Sequence, residues 1–113
     1  MKVAYSLIRA EGETESFTAD FNGEPESWYR QLRDVFAQHF GDEIFYEHVN
    51  VWHQGRYADM LVDETGSLKG LPVNEKASEI YHANVKAHFP DEFRSDMPMI
   101  YGDALLFEQK VWL

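Results

Sequence analysis

The residues of this chain best suited by type to do chemistry lie between Met60 and Tyr81, in MLVDETGSLKGLPVNEKASEIY, where a serine and a lysine stand between two glycines. Three chemistries use such residues: a phosphate-gripping loop, a nucleophilic turn, and a polar pocket formed where loops meet. A phosphate loop needs two glycines five apart followed directly by Lys and Ser or Thr, leading from a strand into a helix. Here Lys69 precedes Gly70 and Pro72 follows it, so the lysine is on the wrong side of the second glycine. Ser67 lacks the flanking glycines of G-x-S-x-G, which leaves no sharp turn to present it. The third option stands: Asp63, Lys69, Asn74 and Asp103 converging at one sheet edge as a ligand pocket, with Asp63 as an acid/base group. Polar residues on loops held by a scaffold carry binding more often than those in a core.

Other constellations are weaker. His48 and His53 are five apart on one expected strand and point to opposite faces, while His82 and His88 are six apart on a helix and share no face. Neither pair chelates a metal locally, and no metal or cofactor is expected. Asp59 and Asp63 fall on one strand face but roughly 13 Å apart by strand rise, too far to share a proton. No catalytic residue is assigned, and the balance leans away from an enzyme.

These residues are positioned by a pattern of elements that predicts an α+β fold in the order β-β-α-β-β-α-β, as one domain over residues 1 to 113. A mainly antiparallel sheet is expected, with two helices packed on one face. KVAYSLI is apolar on both faces and reads as a central strand, followed by the alternating strand TESFTAD in a hairpin. Pro25 opens a helix to about residue 40, carrying Trp28, Leu32, Val35 and Phe36, with Gly41 as its stop. The runs IFYEHVNVWH and YADMLVDE make a second hairpin. Asp63 to Gly66 has the chemistry of a turn, Ser67 to Lys69 reads as a short extended piece, and Asn74 caps a helix that Pro90 ends. Residues 91 to 99 form the longest loop, and IYGDALLF is the last strand, with EQKVWL continuing it or forming a short terminal strand.

The run VDETGSLKGLPVN, the helix with Ala77, Ile80 and Tyr81, and the later IYGDALLF and VW together resemble a family of small phage, plasmid and bacterial proteins. That family is known only as a domain of unknown function, with a V-D-E-x-G-x-L-K-G-L-P-x-N…G-D-A pattern. The resemblance covers Met60 to Leu113 and departs at Tyr101, where a smaller β-branched residue is expected. It implies an accessory gene carried by mobile elements or their hosts, and it implies no activity or catalytic set.

Charge narrows the partners. With 20 Asp and Glu against 10 Lys and Arg, the net charge is −10, which argues against direct nucleic-acid binding because phosphate contacts need a basic footprint. The acids are spread along the chain, so the surface should be negative; the plain use of such charge is solubility. The sharper use is docking on a basic protein, with Glu47, Asp59, Asp63 and Glu64 as the interaction surface. There is no cysteine, which rules out disulfides and thiolate sites. With neither a signal peptide nor a membrane-spanning run, the expectation is a cytoplasmic protein with no membrane partner. The leading functional expectation is therefore a non-enzymatic acidic accessory or inhibitor that binds a host or element-encoded protein. The alternatives are a small-molecule or nucleotide binder using Lys69, Asn74 and Asp103, and a structural subunit.

Overall fold

Strands that are apolar on both faces must be covered on both, and three strands of this chain have that character. The computed structural model describes residues 1–94 and 96–112. Its sheet is formed by β1 (Lys2–Ile8), β2 (Thr14–Asp20), β3 (Tyr46–His53), β4 (Arg56–Asp63) and β5 (Ala104–Phe107). Their spatial order is β2-β1-β5-β4-β3, and every neighbouring pair is antiparallel. The last strand is thus central: Leu105 pairs with Leu7 on one side and Leu61 on the other.

Alternation along β1, β4 and β5 divides the core in two. Val3, Tyr5, Leu7, Leu61, Leu105 and Phe107 share one face with Trp28, Leu32, Val35 and Phe36. Ile8, Met60, Val62, Ala104 and Leu106 point the opposite way and meet Ala77 and Ile80. The first set of covering residues belongs to a 3-10 segment, Pro25–Gln31, running into α1 (Leu32–Phe40); the second belongs to α2 (Glu75–His88). The α+β class, the element order and the antiparallel sheet are therefore as expected, but the two helices cover opposite faces, not one. The cause is in the strands: with apolar residues on both sides of β1, β4 and β5, a single helical layer would leave half of the core in water.

Local chemistry sets the element ends. Gln54 and Gly55 both have positive φ, which is the twist a two-residue hairpin loop requires between β3 and β4. Gly41 stops α1, its N–H bonding the Ala37 carbonyl. The stretch expected as an extended piece at Ser67 to Lys69 is instead a coiled turn, closed by Lys69 N–H to Thr65 O at 3.0 Å and Leu71 N–H to Gly66 O at 3.1 Å. Of the expected terminal strand, residues 108–112 carry no ladder and Leu113 lies outside the described residues, as does Ser95 of the long loop.

Candidate functional site

The corner that sequence marks as a pocket is formed where β4 ends, α2 begins and the approach to β5 passes between them. Asp63, the last residue of β4, is 7 % exposed. Its Oδ1 accepts from the Thr65 N–H at 2.8 Å and the Thr65 hydroxyl at 3.2 Å, and its Oδ2 accepts from Lys69 Nζ at 2.8 Å. Burial by itself would raise the Asp63 pKa, but the hydrogen bonds from Lys69 and Thr65 outweigh it and hold the group below the usual carboxylate range. Asp63 is therefore an anionic brace for its own turn and is not poised to take up a proton at neutral pH.

Asn74 is buried and uses its whole amide. Its Oδ1 accepts from Ala77 N–H at 3.0 Å and caps α2, while its Nδ2 donates to the carbonyls of Ile8 and Gly102, each at 2.9 Å. Asp103 accepts from Ala10 N–H at 2.9 Å through Oδ1, with Arg9 at 3.8 Å from its other oxygen. The backbone joins the same segments, with Gly102 N–H to Pro72 O and Asn74 N–H to Ile100 O, both at 2.7 Å, and a bridge between Val73 and Tyr101. The structure thus places all four candidates at one end of the sheet, and each is engaged by the protein itself. Asn74 has no donor left for a ligand, and Lys69, half-exposed, spends one of its three N–H donors on Asp63.

A second polar cluster was not legible as a site from sequence. Asp59 sits in β4 on the face covered by α1 and is fully buried. Its Oδ1 contacts His48 Nε2 and Lys110 Nζ, while its Oδ2 accepts the N–H groups of Val111 at 2.6 Å and Trp112 at 2.8 Å. The His48 ring stacks on Trp112 with centroids 4.9 Å apart, and Lys110 also donates to Asn50 Oδ1 at 2.8 Å. Desolvation would push the Asp59 carboxyl up, yet the donors from His48, Lys110, Trp112 and Val111 prevail and lower it. A carboxylate holding an imidazole is half of a general-base device. Here the same oxygen also receives a lysine, and among the described residues no hydroxyl or thiol nucleophile bonds the imidazole, so the arrangement fastens residues 110–112 to the sheet. The signal that could have exposed it is the run ADMLVD: a strand apolar on both faces buries its aspartates too.

The interaction surface expected at Glu47, Asp59, Asp63 and Glu64 is corrected accordingly. Glu47 and Glu64 are exposed, but Asp59 and Asp63 face inward and cannot contact a partner. Of the 20 Asp and Glu, all but Asp59, Asp63 and the half-buried Asp103 are exposed. A groove between the β1–β2 turn and the start of α2 is lined by Glu11, Glu75 and Glu79, with Arg9 and Lys76 at its side. Both cations are engaged, Arg9 with Glu15 at 2.6 Å and Lys76 with the Thr14 hydroxyl at 3.0 Å. Among the described residues no three His, Asp or Glu side chains are grouped to hold a metal ion, and no helix is long and apolar enough to cross a membrane. Comparison of the chain with family models, with curated proteins and with solved structures gives no match.

Proposed function

We propose that this protein is a non-enzymatic acidic docking protein that binds a basic partner protein, as an inhibitor or nucleic-acid mimic. The observation that carries the reading is a division of labour among polar groups: the buried carboxylates of Asp59 and Asp63 and the amide of Asn74 are consumed by internal bonds, and nearly all the other acids are left in solvent. A surface of that kind has little to offer a small metabolite and a long-range attraction to offer a positive surface. Origin in a mobile element or its host belongs to the same proposal and rests on the VDETGSLKGLPVN…GDA pattern. So does a cytoplasmic location, for which the absence of cysteine is the support.

The test is capture of partners on the immobilised full chain at low and at raised salt, followed by competition with duplex DNA. The expected result is a basic nucleic-acid-binding protein, released by salt and displaced by DNA, since charges at exposed positions are screened over about 8 Å at physiological ionic strength. Captured proteins that are not basic, or that ignore both salt and DNA, would overturn the proposal. Stabilisation by one nucleotide or metabolite, lost in Lys69→Ala, would transfer the function to the corner.

A further inference from the structure

Both edges of the sheet carry outward backbone groups. At β3, α2 packs alongside and the Asn84 amide donates to the outward carbonyl of Asn50 at 3.2 Å, while among the described residues no hydrogen bond reaches the outward groups of Tyr46, His48 and Trp52. At β2 the register with β1 fixes which groups point where. Phe21 N–H bonds the Met1 carbonyl and Arg9 N–H the Glu13 carbonyl, both at 2.8 Å, so the odd-numbered residues of β2 spend their backbone groups on β1. The even-numbered residues Thr14, Ser16, Thr18 and Asp20 point theirs away from the sheet. At Asn22, the next even position, the Gln31 side chain supplies both partners, its Oε1 accepting at 3.0 Å and its Nε2 donating at 2.7 Å. The protein therefore blunts its edge beyond β2 and leaves β2 open, and among the described residues no hydrogen bond reaches the outward backbone groups of Thr14 to Asp20.

We propose that β2 pairs with β2 of a second copy of this chain, antiparallel, about a two-fold axis at Phe17. Natural edge strands are protected by charged side chains, lysine above all, by proline or by a bulge. TESFTAD has no lysine, proline or bulge, its Glu15 is neutralised by Arg9 at 2.6 Å and its Asp20 stands at the strand's end, and it runs straight through its ladder with β1. The register that overlaps the whole strand sets Ser16 against Thr18, Thr14 against Asp20 and Glu15 against Ala19 of the second copy. No acid faces an acid in it, although Glu15 and Asp20 lie in the strand and Glu13 directly precedes it. Centred one or two residues nearer the hairpin turn, the pairing overlaps less of the strand, and centred on Glu15 it opposes that residue to itself. On the axis the two Phe17 side chains form a pair whose backbones make no hydrogen bonds to each other, where Cα atoms approach to about 4.5 Å and side chains are closest. Each Phe17 ring is already supported from below, stacked on Tyr5 at 5.6 Å and met edge-on by His39 at 4.8 Å. The product is one continuous sheet through both copies, presenting two acidic surfaces to a partner.

The two proposals respond to salt in opposite directions, so they fail separately. Copies carrying −10 each repel, and screening strengthens their pairing while weakening attachment to a basic protein. The experiment is sedimentation of the full chain over a concentration series at low and raised salt, with backbone amide exchange followed by NMR. The expected mass rises from 13.2 kDa to twice that value, at lower concentration when salt is raised. The outward amides of Ser16 and Thr18 slow by about ten-fold or more as the dimer fills. Ser16→Pro removes an outward N–H that β1 does not use; it is expected to melt close to the parent protein and to stay monomeric. A monomer at every concentration and salt, exchange at Ser16 and Thr18 that ignores concentration, or a dimer undiminished in a folded Ser16→Pro variant would each overturn the proposal.

Discussion

The carboxylate of Asp59 accepts the backbone N–H of Trp112 at 2.8 Å, joining residues 53 positions apart. That contact makes the end of the chain part of the core. Val111, held by the same oxygen, is fully buried among the residues that α1 covers, and Trp112 lies tilted against Tyr29 with centroids 5.5 Å apart. One buried anion thus ties β4, the terminal segment and, through His48, the edge strand β3.

Removing that anion should be among the most damaging single changes in the protein. Asp59→Ala leaves Lys110 and two backbone N–H groups without their partner, and breaking a buried charge pair from one side costs about 3–5 kcal/mol. Asp59→Asn is no rescue, since its NH2 group must face either the lysine and imidazole or the two backbone donors. Urea unfolding followed by tryptophan fluorescence measures both; a loss below about 1 kcal/mol in Asp59→Ala would show that the cluster does not hold the terminus.

Acid should act through the same group and through Asp63. Both are held below their ordinary pKa: burial opposes this, but donors from His48, Lys110, Trp112 and Val111 outweigh it at Asp59, and donors from Lys69 and Thr65 do so at Asp63. A depressed carboxylate contributes stability that is fully present above its unfolded pKa of about 3.9 and is lost as pH falls through the folded value. His39, lowered chiefly by burial, works in the same direction at higher pH: its cost begins as pH falls below about 6.5, where the unfolded chain takes up the proton first. Unfolding free energy measured from pH 7 downward should therefore fall gently below about 6.5 and steeply below about 4. The steep limb should be shallower in Asp59→Asn; an unchanged limb would assign acid sensitivity elsewhere.

How much of this was readable from sequence depends on the range of the interactions. Hairpins, the Asn74 cap and the Gly41 stop are set by neighbours within a few residues, and the residue types announce them. The assignment of faces was also implicit, because KVAYSLI is apolar on both sides, but it requires knowing that β5 inserts between β1 and β4. Long-range satisfaction was not readable. Asp59 looks like a surface acid until Lys110, Val111 and Trp112 are brought to it, and Asn74 looks like a cap with a spare amide until Ile8 and Gly102 take it.

That double use of Asn74 predicts an unusual order of variants. Asn74→Ala loses the cap, worth about 1 kcal/mol, and strands the buried Gly102 carbonyl at about 1–3 kcal/mol, while the Ile8 carbonyl keeps its ladder partner on β5. Asn74→Asp keeps an acceptor for Ala77 N–H, and at an ordinary cap it would be neutral or better. Here it sets a carboxylate against the carbonyl oxygens of Ile8 and Gly102, so it should be no more stable than Asn74→Ala at pH 7 and should recover as the carboxyl is protonated. Thermal melts of both variants at pH 7 and pH 4 check this; an aspartate variant that matches the parent at pH 7 would mean the two carbonyls do not depend on the amide.

The two glycines that begin and end this corner should fail for different reasons. A Cβ on Gly66 would stand 2.8 Å from the Tyr101 carbonyl oxygen, and backbone cannot step aside without breaking the Val73–Tyr101 bridge. A Cβ on Gly102 would stand 2.8 Å from Leu71 Cδ1, the end of a movable side chain, but Gly102 also has φ +82°, which costs an L-residue about 1–2 kcal/mol wherever it is. Leu71→Ala should therefore relieve part of the loss in Gly102→Ala and none of it in Gly66→Ala. A double-mutant cycle in urea measures the coupling, expected to be favourable by about 0.5 kcal/mol or more for the first pair and near zero for the second. Equal coupling in both would mean that the corner yields as a whole instead of being held by the approach of two backbone segments.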